Sequence, residues 1–169
     1  MAYRVAYYPG DGIGPEVLSA GRVVLEAAVP GVVEFEEIPW GAHLVEEIGA
    51  AAPPNMLEIL RPFDAIFLGA LGDPRLAPDH VTLAPLLNMR KGFRQYACVR
   101  PAVLYPGVKS PLAGLEPYSV EMTVIRENIE GEYADIGERH RVAEDEEVAL
   151  QVNFFSRTGV ERVVRYAFE

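Results

Sequence analysis

The chain has little sulfur to work with: Cys98 is the one cysteine in 169 residues. A single thiol excludes a disulfide framework and a cysteine-based zinc cluster within the chain. Long hydrophobic runs are missing as well, and no apolar stretch approaches the ~20 residues that a membrane-spanning helix needs. The start, Met1-Ala2-Tyr3-Arg4-Val5, lacks the charged n-region and long apolar h-region of a signal peptide. Cations are in deficit, with 15 Lys and Arg against 25 Asp and Glu and a net charge of -10. That balance argues against nucleic acid and anionic membranes as partners. His43, His80 and His140 are isolated and show no metal-ligand spacing. The expectation is a soluble, cytoplasmic protein.

What is present suits a folded core. Half of the residues are apolar and mean hydropathy is slightly positive, as in globular rather than disordered chains. Tyr3 to Tyr8 is aromatic and β-branched and stops at Pro9-Gly10-Asp11-Gly12, so a strand is expected there. Val17, Leu18, Val24, Leu25 and Ala28 form a helical stripe from Ile13 to Val29, with Pro15 and Glu16 suited to the first turn. Val32 to Ile38 reads as a second strand, and Leu44 to Ile48 and Asn55 to Leu60 as short helices. Asp64 to Leu68 is a short apolar run ending at Gly69, the pattern of a buried parallel strand. The alternation predicts an α/β fold.

The second half differs. Val81 to Met89 is expected to be a helix leading into Arg90, Tyr96 to Tyr105 a strand, and Ser119 to Arg126 another. A Glu-rich turn follows, then a strand from Glu147 to Phe155. Thr158-Gly159-Val160-Glu161 has capping-box spacing and predicts the start of a last helix, still running at Glu169.

Two features carry chemistry. Arg90, Arg100 and Arg126 sit in segments otherwise apolar or rich in turn residues. An arginine directed inward is costly unless its fork of donors meets an anion, so the three together point to a small carboxylate. Tyr133, close to Arg126 in sequence, could pack its ring or, among guanidinium groups, become acidic enough to give up a proton. The turns at Gly10–Gly14 and Gly69–Pro74 each follow a strand. A plain loop and a ligand loop fit both equally, and the first lacks the G-x-G-x-x-G dinucleotide spacing.

Pro9-Gly10-Asp11-Gly12-Ile13-Gly14-Pro15-Glu16, Arg90 with Arg100 ten residues on, and Arg126-Glu127-Asn128 followed by Glu130-Gly131-Glu132-Tyr133 resemble the β-decarboxylating dehydrogenases. That is the isocitrate/isopropylmalate dehydrogenase family. Phe63 to Ala70, Gly72 to Leu76, Pro78-Asp79-His80 and Val164 to Glu169 are most similar to its tartrate/D-malate branch. The resemblance implies an isopropylmalate dehydrogenase-like α/β fold, with residues 1–95 opening the large, cofactor-side domain. Residues 96–169 would begin a second, substrate and dimerisation domain, both being incomplete. It also implies a reaction: a 2-hydroxy dicarboxylate is oxidised by NAD and then loses CO2 through an enolate stabilised by Mg or Mn. Arg90, Arg100 and Arg126 would hold the substrate, Tyr133 would protonate the enolate, and Ile13, Gly69, Gly72, Asp73 and Asp79 would lie along the cofactor. No metal ligand is assigned in this chain.

There are departures from the family's pattern. Cys98 stands where asparagine is frequent and Ile129 where a small hydroxyl residue is usual. Leu83, Leu86 and Leu87, at the substrate-sorting helix positions, offer no partner for a third carboxylate, which disfavours isocitrate; isopropylmalate ranks below D-malate and tartrate. Family members are about twice this long, and their general-base lysine and metal-binding aspartates lie beyond the equivalent of Glu169. The expected partners are a small dicarboxylate and either a second copy or a complementing C-terminal fragment. The competing reading is a non-catalytic carboxylate-binding or regulatory subunit. The 169-residue chain alone is therefore expected to show no NAD- and Mn-dependent turnover of D-malate or tartrate in a spectrophotometric assay. Robust turnover would overturn the account of the missing lysine and aspartates.

Overall fold

The computed structural model describes residues 2–143 and 145–169. They fall into two compact units, Met1–Gly92 and Phe93–Glu169, where the sequence reading had placed the division after residue 95.

In the first unit β1 (Tyr3–Gly10) is flanked by β2 (Val33–Glu37) and β3 (Ala65–Ala70), giving a parallel sheet in the order β2-β1-β3. Val5 lies opposite Phe35 and Ala65, and Tyr7 opposite Glu37 and Phe67. The central strand buries Val5, Ala6, Tyr7 and Tyr8, which explains why its sequence is almost continuously apolar. Tyr7, Phe35 and Phe67 pack edge-on or tilted at 5.8 to 6.4 Å, and the Arg22 guanidinium covers Phe35 at 5.2 Å. The expected first helix is α1 (Gly14–Ala28), with Pro15 and Glu16 in its first turn and Leu18 buried.

Four short helices complete the unit: α2 (Val45–Ile48), preceded by a 3₁₀ turn at Ala42–Leu44, then α3 (Met56–Leu60), α4 (Asp79–Thr82) and α5 (Ala84–Gly92). The single helix expected over Val81–Met89 is thus two, broken at Leu83. The cause is Pro85, which has no N–H to give the preceding turn and is tolerated only where a helix begins.

In the second unit β4 (Ala97–Val103) and β5 (Glu121–Glu127) pair antiparallel. A second hairpin joins β6 (Gly137–His140) to β7 (Val148–Gln151). β6 lies in the segment read from sequence as a turn; Glu138-Arg139-His140 carries no apolar alternation to betray a strand, and all its residues are exposed. The strand expected over Glu147–Phe155 ends at Gln151, and Phe154 returns as a single bridge to Gly131, whose N–H it accepts at 2.7 Å. Gly131 is buried at φ +67° with its α-carbon against the Phe155 ring, a backbone conformation and a space that suit glycine alone.

The last helix, α6 (Arg157–Phe168), is capped by Ser156 and not at Thr158 as expected. Ser156 keeps an extended backbone and its Oγ accepts the Gly159 N–H at 2.9 Å, whereas Thr158 is already helical. A neighbouring carboxylate selects the cap: Glu130 accepts the Ser156 N–H at 2.8 Å and the Ser156 hydroxyl at 2.7 Å. Glu127 accepts the N–H groups of Ile129 and Glu130 at 2.9 and 2.6 Å, and its other oxygen meets Arg162 of α6 at 3.0 Å. Arg162 in turn stacks over Tyr96 at 5.0 Å. These acids fasten α6 to β5.

The Ser156 N–H first, then its hydroxyl and the Arg162 guanidinium, hold the Glu130 carboxyl below the ordinary glutamate range. A lowered native pKa makes the stabilisation complete above the unfolded value of about 4.3 and removes it as pH falls through the native one. Urea unfolding should therefore show stability rising with pH across the acid range. Glu130→Gln should flatten that rise and cost about 1–3 kcal/mol at neutral pH. An unchanged acid limb in the variant would assign the pH dependence to other groups.

Candidate functional site

The β4–β5 register decides which side chains share a face. Cys98 lies opposite Arg126, Arg100 opposite Val124, and Ala102 opposite Met122. Side chains alternate along a strand, so Arg100 and Arg126 project from the same face as diagonal neighbours, with Cβ atoms about 7–8 Å apart for that relation. Cys98 stands between them on this face. Glu127 projects from the other face, toward α6. The expectation that all three arginines turn inward needs correction for Arg100, which is exposed because its face, shared with the exposed Met122 and Val124, is open within the unit.

Arg126 is half-buried and held on two sides. The Tyr133 ring lies 5.5 Å from its guanidinium carbon, a cation–π contact. Its Nη2 donates to Asn128 Oδ1 at 3.0 Å, and Asn128 Nδ2 donates to the Gln95 carbonyl at 3.2 Å. Its Nε is buried and has no hydrogen-bond partner. The structure thus brings Arg126 and Tyr133 together at the end of β5, and places Arg100 on the same sheet face as Arg126.

Arg90 belongs to the first unit, near the end of α5. Leu83, Leu86, Leu87 and Arg90 follow the i, i+3, i+4, i+7 spacing of one helix stripe, and all but Leu83 are half-buried. Leu83, just before α5, is 36% exposed. The residues expected to sort substrates therefore share a face with one of the expected carboxylate-binding groups.

The two glycine-rich turns meet at the C-terminal edge of the parallel sheet, where open α/β sheets bind ligands. Gly14 and Gly69 approach so closely that the Gly14 α-carbon lies 2.9 Å from where a Cβ on residue 69 would stand. Asp11, only 6% exposed, joins three segments there. Its carboxylate accepts the Ala42 N–H at 2.7 Å and the Gly72 N–H at 2.9 Å, and its own N–H donates to the Ala70 carbonyl at 2.7 Å. Burial pushes the nearby Tyr8 phenol up, and the Asp11 charge pushes it further.

Of the expected cofactor residues, Ile13 is exposed at the entry to α1, and Asp79 is exposed at the start of α4. Gly72 takes φ +109° and donates to Asp11. Asp73 is buried, and both its oxygens are engaged by Arg75, at 2.9 Å to Nε and 2.7 Å to Nη2. Those hydrogen bonds from Arg75 hold its carboxyl at about 2. Asp73 shapes its loop, and Arg75 carries the exposed end of the pair.

Asp11, Asn128 and the Glu127–Glu130–Arg162 cluster were missed from sequence. The available signal was an acid or amide set between glycines or beside an arginine at a strand end, which marks a group whose partners are backbone. Among the described residues no group of three or more His, Cys, Asp or Glu could hold a metal ion, and no helix is long and apolar enough to cross a membrane.

The same chain segments recur in known enzymes. The D-malate dehydrogenase (decarboxylating) of Escherichia coli strain K12 is 44% identical, over 98% of this chain and 47% of its own length. A probable tartrate dehydrogenase/decarboxylase of Agrobacterium vitis is 44% identical, over 99% of this chain and 48% of its own. The crystal structure of isocitrate dehydrogenase from Methylococcus capsulatus superposes with a TM-score of 0.80 at 31% identity, covering 98% of this chain and 46% of that one. The chain spans about half the length of the relatives it matches. Residues 4–169 match the isocitrate/isopropylmalate dehydrogenase family, and the chain belongs to that family of decarboxylating dehydrogenases.

Proposed function

We propose that this chain supplies the carboxylate-holding and proton-donating part of an NAD- and divalent-metal-dependent enzyme that oxidises and decarboxylates D-malate or tartrate. The observation that carries the reading is the β4–β5 face: two arginines as diagonal neighbours, with a tyrosine ring 5.5 Å from the guanidinium of one of them. In a protein of net charge -10 a small dianion needs local cations, and Arg100 and Arg126 provide them. Arg90, on the leucine-bearing stripe of α5, is assigned the same role toward the substrate. The leucines of that stripe offer a third carboxylate nothing to pair with, which favours a C4 diacid over isocitrate.

The chemistry divides accordingly. The Gly10–Gly14 and Gly69–Gly72 edge would hold NAD, which would supply a hydride acceptor for the hydroxyl-bearing carbon. Ile13 and Asp79 flank that edge, and Asp73 keeps its loop in shape. The arginines fix the carboxylates so that the one β to the new carbonyl leaves as CO2. The C–C bonding pair remains on the substrate as an enolate. Tyr133 then gives its phenolic proton to the enolate carbon, and the Arg126 guanidinium beside the ring steadies the phenolate left behind. Among the described residues no group of three or more His, Cys, Asp or Glu could hold a metal ion, so no step assigned to this chain runs through the metal, and neither its ligands nor the base that takes the hydroxyl proton is assigned here.

Two measurements test this. Titrated into the 169-residue chain, D-malate or tartrate should bind more tightly than isocitrate, and Arg100→Ala or Arg126→Ala should weaken binding about 10- to 100-fold, the worth of one charge-assisted hydrogen bond of about 1.5–3 kcal/mol. Joined in frame to the C-terminal half of the Escherichia coli relative, the chain should turn over D-malate with NAD and Mn, and Tyr133→Phe should lower kcat by about 100-fold or more. Binding indifferent to both arginines would defeat the clamp. A folded, ligand-binding but inactive chimera would favour a carboxylate-binding subunit instead.

A further inference from the structure

We infer that Asn128 is the positioning residue that aims the Arg126 guanidinium, and that it does so by giving that arginine a neutral partner where a charged one would cancel it. This rests on the dicarboxylate reading of the β4–β5 face. Asn128 is 5% exposed and sits just past the end of β5. It is used at both ends: Nδ2 donates to the Gln95 carbonyl at 3.2 Å, and Oδ1 accepts from Arg126 Nη2 at 3.0 Å. The amide can therefore be placed only one way round, since its oxygen must face the arginine and its nitrogen the carbonyl.

Backbone fixed at residue 95 thus fixes one edge of a guanidinium thirty-one residues later in sequence. The Tyr133 ring limits one face of the same group. What remains uncommitted is Nη1, together with the buried Nε, which has no partner. A buried donor left unpaired costs the fold free energy, and a planar carboxylate is the ligand whose two acceptors suit an arginine fork. A full charge at 128 would remove the reason to recruit one. The neighbouring acid, Glu127, is kept from Arg126 by strand alternation and is spent on Arg162. The sequence Arg126-Glu127-Asn128 therefore places an acid where it cannot neutralise the clamp and an amide where an acid would.

The test uses the 169-residue chain labelled with ¹⁵N-arginine and reads the Arg126 Nε–H resonance, assigned by its loss in Arg126→Lys. In the unliganded wild type this signal should be dispersed and slow to exchange with water. In Asn128→Ala it should collapse to the position of a free arginine, and D-malate affinity should fall about tenfold. That loss should vanish when Asn128→Ala is introduced into an Arg126→Ala background, because a residue acting through another has no effect once the other is gone.

Asn128→Asp keeps the acceptor toward Arg126 but loses the donor to the Gln95 carbonyl; its charge should still pair with the guanidinium, so the Arg126 signal should stay dispersed while D-malate affinity falls further than in Asn128→Ala. An Arg126 signal unchanged in Asn128→Ala would overturn the proposal, as would wild-type affinity in a folded Asn128→Asp protein. If neither D-malate, tartrate nor isopropylmalate moves the wild-type Nε resonance, the dicarboxylate reading falls, while the unliganded spectra still decide whether Asn128 orients Arg126. Should Asn128→Ala unfold, as the remaining backbone spectrum would show, the Asn128→Asp comparison decides alone.

Discussion

The second unit depends on a carboxylate saturated by hydrogen bonds. Glu130 takes both polar hydrogens of Ser156, and Ser156 in turn caps α6. A partly buried acid is a liability unless donors surround it; here those donors belong to the end of a helix that has to be held somewhere. Glu127 repeats the device one turn earlier, accepting two backbone N–H groups and pairing with Arg162. α6 carries a strong apolar stripe as well, yet several of its apolar residues, Val160, Val164 and Phe168 among them, are exposed. Polar saturation at its first turns, more than apolar burial, determines where this helix sits.

The first unit solves a similar problem with Asp11. Its carboxylate is buried and satisfied by the N–H groups of Ala42 and Gly72, so it fixes the first turn, the 3₁₀ segment and the loop after β3 with one group. Loops at the ligand-binding edge of an open sheet are free to move unless something ties them. A single buried acid ties three without contributing a side chain that blocks the edge. Asp73 works locally in the same way, folding its loop around Arg75. Acidic residues in this chain thus appear in two populations. A few are buried and hydrogen-bonded to backbone, and many are exposed and carry the net charge.

That division explains what could be read from sequence. Parallel strands announce themselves as apolar runs, so β1, buried from Val5 to Tyr8, and the partly covered β3 were legible, as were α1 with its proline and the two strands carrying Arg100 and Arg126. The break before α5 was not, because a leucine-rich run hides the consequence of Pro85. β6 was not, because an exposed strand owes its pairing to backbone and leaves no apolar period. The cap of α6 was misplaced by two residues because Thr158 and Glu161 have the right spacing, and only the distant Glu130 selects Ser156. Motif spacing brought Arg126 and Tyr133 to notice. Nothing local, however, showed that Arg100 lies on an open face or that Asn128 and Asp11 hold their surroundings in place.

The proposed arginine clamp would depend on such supporting contacts. An arginine carries considerable rotamer entropy, and immobilising one on ligand binding costs roughly 0.5–1.5 kcal/mol. Arg126 meets that cost during folding, on the Asn128 amide at one edge and the Tyr133 ring at one face. The fold then bears an unpaired buried Nε, a penalty on the order of 1–3 kcal/mol. Arg100 is exposed and has no such support. The two arginines on this sheet face are therefore not equivalent: Arg126 is preset by Asn128 and Tyr133, whereas Arg100 is exposed, so under the proposed function the first would set the position of the anion and the second would close on it.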